Sequence, residues 1–184
     1  MINGLKEGKW LIYQDSNANV ISDTNAPYYV LIVFRAGIPV VGRGYTRRGS
    51  VNFEVPILNG MDNGLGKWYY DDGKFKAEVI FKNSKKNGVE KNYYESGVLE
   101  SETPYKNDKQ NGVEKDYYES GQLKGTYPFK NDEENGVEKE YWENGKLKSK
   151  TTFKNGESTE TMNWDKDGVP VYYMDDNPLQ GVGK

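Results

Sequence analysis

The stretch that decides the fold is NGVEKNYYESG at 87–97, which returns as NGVEKDYYESG at 111–121 and as NGVEKEYWENG at 135–145. Each copy starts 24 residues after the last, and a degraded copy, NGLGKWYYDDG, stands one period upstream at 63–73. Self-similarity at a period in the twenties describes stacked units that touch only their neighbours. When each unit is numbered from its asparagine, the apolar residues fall on odd positions: Val89 at 3, Tyr93 at 7, Leu99 at 13 and Tyr105 at 19. The next copies place Val113, Tyr117, Leu123 and Phe129, then Val137, Tyr141, Leu147 and Phe153, at the same positions. Period-two alternation of Tyr, Val and Phe between polar residues is a strand pattern, not a helical one.

Glu95-Ser96-Gly97, Glu119-Ser120-Gly121 and Glu143-Asn144-Gly145 interrupt the alternation. A three-residue loop ending in Gly fits a type I turn followed by a left-handed residue, so each unit is a β-hairpin. With positions 9–11 as the loop, 7 faces 13, 6 faces 14 and 5 faces 15. The 7/13 pairs are then Tyr69–Phe75, Tyr93–Leu99, Tyr117–Leu123 and Tyr141–Leu147, all apolar. Lysine at 5 faces Ala77, Ser101, Gly125 or Ser149, small residues that leave room for its stem. At 6/14, Asp116–Lys124 and Glu140–Lys148 set opposite charges face to face. One pair, Glu90–Glu102 at 4/16, opposes this register. The expected fold is all-β: an elongated, twisted antiparallel meander of 24-residue hairpins, largely a single layer. At a strand spacing of about 4.8 Å each repeat advances the sheet by about 9.6 Å.

Composition narrows the chemistry. The 184 residues contain neither Cys nor His, which removes disulfides, thiol nucleophiles, Ser-His pairs and ordinary zinc sites. Leu, Ile, Val and Phe make up about a fifth of the chain, and fifteen Tyr make good the deficit, so a thin core is expected. Net charge is −3, with +2 in residues 1–60 and −5 in 61–184, which makes nucleic acid a poor partner. The apolar run YYVLIVF at 28–34 is far short of a membrane span, and no signal-peptide pattern follows Met1. Asn3-Gly4 resembles the Asn-Gly turn that opens each later repeat, with no strand ahead of it, the pattern expected if an upstream segment was removed. The compartment stays open.

The recurring NG-x-x-K-x-Y-Y-E-x-G-x-L…Y/F-K-N unit, close over 63–156 and looser at 8–22 and 163–173, resembles the MORN-repeat family, in particular its bacterial YwqK-type antitoxin-like branch. That resemblance implies an extended, twisted hairpin sheet with a role in membrane association, protein binding or toxin neutralisation. The chain divides into a divergent N-terminal hairpin (1–25), a divergent hairpin with an extra strand (26–62), four regular repeats (63–158) and a degenerate repeat with a tail (159–184). Within APYYVLIVFRAGIPVVGRGY, an Arg35-Ala36-Gly37 loop sets Phe34 opposite Ile38, Ile32 opposite Val40 and Leu31 opposite Val41. Both faces are apolar, and the section is expected to be thickened and covered on both sides.

Three groups of residues are candidate sites. Even positions line up Glu90, Asn92 and Tyr94; Glu114, Asp116 and Tyr118; and Glu138, Glu140 and Trp142. This acidic strip with aromatic anchors suits a basic protein partner, a toxin among them. Its alternative is a solvated face whose aromatics only stiffen the sheet. Arg43, Arg47 and Arg48 in GRGYTRRG form a cluster able to hold an anion or a lipid headgroup, or else simply solvated turn residues. The recurring carboxylates Glu95, Glu119 and Glu143 sit in hairpin loops in every copy, as turn chemistry requires. Asp165-Lys166-Asp167-Gly168 lacks the remaining ligands of a calcium loop and is a plain turn. The reading is a non-enzymatic interaction protein, needing no cofactor or metal, whose alternatives are an anionic-lipid module and an architectural surface protein joined edge to edge.

Overall fold

The structure, a computed structural model, describes residues 1, 4–15, 19–46 and 48–171. Seventeen strands and no helix occur among them. The strands are β1 (Gly8–Gln14), β2 (Val20–Ile21), β3 (Tyr28–Arg35), β4 (Ile38–Thr46), β5 (Val51–Leu58) and β6 (Met61–Asp62). Next come β7 (Gly64–Tyr69), β8 (Phe75–Lys82), β9 (Lys85–Tyr93), β10 (Leu99–Lys106), β11 (Lys109–Tyr117) and β12 (Leu123–Lys130). The last are β13 (Glu133–Glu134), β14 (Gly136–Tyr141), β15 (Leu147–Lys154), β16 (Glu157–Trp164) and β17 (Pro170–Val171). They form one open antiparallel meander. β1 lies between β2 and β3, and from β3 onward each line of strand pairs with the next in sequence. The short β6 and β13 extend the lines of β7 and β14 alongside β5 and β12.

Two turns alternate along the array. The three-residue loops close as expected: the Gly97 N–H donates to the Tyr94 carbonyl at 2.8 Å, and the Tyr94 N–H donates to the Val98 carbonyl at 2.9 Å. The same pair of bonds recurs at Tyr118, Trp142 and Asp165, and the last of these makes Asp165–Gly168 the plain turn expected. At the other end of each hairpin lies a two-residue turn with both central residues at positive φ: Asn83-Ser84, Asn107-Asp108, Asn131-Asp132 and Asn155-Gly156. Asn and Asp tolerate this conformation better than other L-residues, and it matches the twist of the flanking strands. Asn-Gly at positions 1 and 2 is therefore not the turn. Gly112 lies inside β11 with φ 135, where an added Cβ would meet the Pro104 ring at 2.8 Å.

The pairing departs from the expected register at one residue per hairpin. Tyr93 faces Leu99 as expected, but Asn92 then faces Ser101, Lys91 faces Glu102 and Glu90 faces Thr103. Position 14 is the extra residue of a β-bulge, repeated between Trp68 and Tyr69, Asp116 and Tyr117, and Glu140 and Tyr141. A slip of one residue exchanges the faces of everything beyond it. Position 19 thus leaves the face of Tyr93 and Leu99 and joins that of Glu90, with the Lys86 ammonium 4.6 Å from the Tyr105 ring and 2.7 Å from Glu90 Oε1. The Glu90–Glu102 conflict disappears. Lys67, Lys91 and Lys115 at position 5 instead join, across the tyrosine–leucine face, the ladder Glu54, Lys67, Glu78, Lys91, Glu102, Lys115 of alternating charge, which ends where Thr126 faces Lys115 and Lys139, and Lys139 faces Lys150. Asp116 faces Gly125 and Glu140 faces Ser149, although Lys148 still reaches Glu140 diagonally at 3.2 Å.

Among the described residues no second layer covers residues 26–60. Ala36-Gly37 is a two-residue turn, so Arg35 faces Ile38, Ile32 faces Gly42 and Leu31 faces Arg43. β3, β4 and β5 lie in the same sheet as the rest, and Leu11 and Ile38 stay about half exposed. The β4–β5 hairpin repeats the regular geometry: a Gly49 turn, a bulge between Gly44 and Tyr45, and an Asn59-Gly60 turn.

The core is a row. Among the described residues Val55, Val79, Thr103 and Thr151 are buried, and all occupy position 17 of successive hairpins on the face that carries Glu90. Tyr127 holds that position in the remaining repeat. Neighbouring repeats are also stapled through side chains. The hydroxyls of Tyr70, Tyr94 and Tyr118 donate to the Tyr93, Tyr117 and Tyr141 carbonyls at 2.6–2.8 Å. The Trp142 Nε1–H does the same to Trp164 at 3.1 Å. At the opposite ends, Asp108 and Asp132 accept the backbone N–H of Lys86 and Gln110 at 2.7 Å.

Candidate interaction face

The bulge assembles the carboxylate face. Positions 4 and 6 of β9, β11 and β14 and positions 15, 17 and 19 of β10, β12 and β15 all point to it. Its centre is Tyr127, whose ring lies over Gly125, so that an added Cβ there would displace the ring. Burial pushes the Tyr127 hydroxyl well above the ordinary tyrosine range, and the charges of Asp116, Glu140, Glu138 and Glu114 push the same way.

Those carboxylates are not equally served. Both oxygens of Glu90 receive Lys86 Nζ at 2.7 Å. Glu140 Oε2 receives the Ser149 hydroxyl at 2.9 Å as well as Lys148. Glu114, Asp116 and Glu138 form no ion pair among the described residues. Burial raises the Glu114 carboxyl above its usual range, with Asp116 adding to the shift; Thr103 and Gln110, the latter donating at 3.0 Å, oppose it. Asp116 is raised by burial, against a partial offset from Lys124. Glu138 is raised by burial and then by Glu134 and Glu140. Three half-buried anions are thus held together without the cations that accompany carboxylates elsewhere on the sheet.

Tyr94, Tyr118 and Trp142 border this group, half buried, with their polar atoms committed to the inter-repeat staples. Their rings, rather than their hydroxyls, are what they offer a partner. A depression of about 260 Å³ between Tyr94 and Asp116 is lined also by Asn92 and Lys124. The arginine cluster is less coherent. Arg43 Nε donates to Glu54 Oε2 at 2.6 Å, and that contact raises the Arg43 pKa further. Arg48 lies in the turn after β4 beside a cleft shared with Asp71, and Arg47 lies outside the described residues. Among the described residues no group of three carboxylates is disposed to hold a metal ion.

Sequence reading missed the aromatic end of this face. Trp68 and Gly66 stand where the other repeats carry Asn92, Asp116 or Glu140 and Glu90, Glu114 or Glu138. An added Cβ at Gly66 would meet Trp68 and Phe81 at 2.9 Å. The signal was present in the letters, as the one repeat that lacks acids at positions 4 and 6.

A hairpin array whose chemistry lies on a sheet face, not in an enclosed pocket, is a repeat protein of the interaction class. Residues 62–83, 86–107, 110–131 and 134–155 each match the MORN repeat variant family, so the four regular hairpins are MORN repeats. MORN repeats are in general non-enzymatic modules that meet proteins or membranes. No curated protein matches the chain.

Proposed function

We propose that the chain is a non-enzymatic interaction protein that holds a basic protein partner against its carboxylate face, in the manner of an immunity protein that caps a toxin. One observation carries the reading: Glu114, Asp116 and Glu138 are kept half buried, each beside further carboxylates and without an ion pair among the described residues. A lysine or arginine of a partner laid over them would supply the missing counter-charge in a partly desolvated setting, where charge-assisted hydrogen bonds are strong. Glu90, whose two oxygens both receive Lys86, and the rings of Tyr94, Tyr118 and Trp142 would form the rim, while Glu140, engaged by Ser149 and Lys148 at Oε2, keeps Oε1 for a partner. The alternative, an anionic-lipid surface through Arg43, Arg47 and Arg48, has less support, because Glu54 occupies Arg43.

The test is co-elution with a cationic toxin domain encoded beside this chain's gene. A complex is expected at about 50 mM salt, weakening towards about 500 mM as screening grows. Asp116→Asn combined with Glu138→Gln is expected to weaken it at least about tenfold, as loss of a charge pair at an interface does. A complex indifferent to both salt and the double substitution would refute the proposed face.

A further inference from the structure

Beyond the carboxylates, the same face ends in a cleft of about 490 Å³. Phe53, Trp68 and Phe81 wall it, with Ala77 and Lys86 also lining it. The Trp68 and Phe81 rings lie 6.0 Å apart, tilted 55° to each other, and the missing side chain of Gly66 leaves room for both. Asn52 is a further lining residue, and its Oδ1 is buried without a hydrogen-bond partner among the described residues. An unsatisfied buried acceptor is costly and rare. The cleft therefore combines aromatic walls with room for one large side chain.

The cleft and the carboxylates share one register. The row Phe53, Trp68, Ala77, Asn92, Ser101, Asp116, Gly125, Glu140 runs unbroken across the strands. Asp116 is four strand steps from Trp68 and Glu140 is six, or about 19 Å and about 29 Å. An extended chain covers those distances in about six and about nine residues.

We propose that the partner, on the reading above, presents an extended segment across the strands: a Trp or Tyr side chain enters the cleft at Trp68, and basic residues about six and nine positions away reach Asp116 and Glu140. Charge complementarity selects a basic segment over an acidic one. The aromatic walls select a large ring, and Trp and Tyr are the usual anchors of such surfaces.

The probe is a fluorescein-labelled Gly/Ser dodecapeptide with tryptophan at the second position and arginines at the eighth and eleventh, together with its reverse-order form. Fluorescence anisotropy is read on the full chain at about 20 mM salt. Binding is expected in at least one order. It should weaken about tenfold or more when the peptide's tryptophan becomes alanine, as for a buried aromatic anchor, and comparably with Trp68→Ala or with Ala77→Phe, which fills the cleft. The tryptophan-to-alanine peptide needs no change to the protein, so misfolding of a variant cannot mask the result. Equal binding of that peptide overturns the anchor while leaving the basic-partner reading in place. Equal binding of a peptide with its arginines moved to the third and fourth positions overturns the register. Failure of both peptide orders to bind overturns the proposal, and insensitivity to Asp116→Asn with Glu140→Gln overturns the basic-partner reading itself.

Discussion

Gly125→Ser should cost the fold about 2–3 kcal/mol, the upper range for forcing extra atoms into packed structure, and lower the thermal midpoint by about 5–10 °C. The Tyr127 ring occupies the space above Gly125, so a side chain there must drive the ring off the sheet. The neighbouring repeats solve the same position differently: Ser101 goes with Thr103, Ser149 with Thr151 and Ala77 with Val79, each a small residue beside a compact one. Gly125 and Tyr127 are one exchange, not two independent choices. The double variant Gly125→Ser, Tyr127→Thr recreates its neighbours' pairing and should cost less than the two single changes added together, with a coupling of about 1–2 kcal/mol. Urea unfolding of the four proteins measures it. Additive losses would mean that the ring and the glycine do not share that space.

The second large effect runs against the usual direction of charge removal. Glu114→Gln, Asp116→Asn and Glu138→Gln together should stabilise the protein at neutral pH by about 1 kcal/mol, or about 2–4 °C. Each carboxyl has its folded-state pKa raised, chiefly by burial. Between the ordinary carboxylate value and the raised one, the folded state binds more protons than the unfolded state, so stability falls as pH rises through that window. The penalty is fully present once pH exceeds the raised values. It is relieved as pH drops through the raised values into the ordinary carboxylate range. The stabilisation of the triple variant should therefore shrink on acidification, as followed by thermal melts from neutral pH downward. Asp72, lowered by its hydrogen bonds to Lys74, titrates the other way but is common to both proteins and cancels in the difference. A triple variant that is less stable at neutral pH would show that the carboxylates support the fold instead of burdening it. Residues that weaken the fold yet would strengthen a complex are the signature of an interaction face.

Much of this was legible in the letters. Glu95-Ser96-Gly97 and its copies identify the hairpin loops, because only a left-handed glycine closes such a loop cheaply. Tyr93 opposite Leu99 follows directly from the loop length. Parity fails beyond that point because it counts residues, and a bulge adds one without changing the loop. The clue lay in Asn52, Lys76, Glu100, Lys124 and Lys148, polar in every copy at the position the bulge leaves unpaired. The Asn107-Asp108 turn was hidden behind Asn111-Gly112, a stronger turn signal in isolation, whose glycine instead makes room for Pro104. The long run at 28–34 reads as buried on both faces because apolar composition does not reveal whether a covering layer exists. The carboxylate residues were brought together as expected, but Tyr94 and Tyr118 also hold one repeat to the next, a role set by their counterparts 23 residues on. The cleft at Trp68 depends on which aromatics share a face, and that changes with the bulge.

Everything on the carboxylate face depends on that one extra residue per hairpin, and the absence of native cysteine allows it to be measured directly. Lys91→Cys is paired in one variant with Glu102→Cys and in another with Ser101→Cys, and intramolecular disulfide formation is followed under mild oxidation. The bulged register sets 91 opposite 102, within disulfide reach for directly facing strand residues, so the first variant should cross-link readily and the second should not. The reverse pattern would place Tyr105 and Phe129 back beside Tyr93 and Leu99 and would dismantle the face described here.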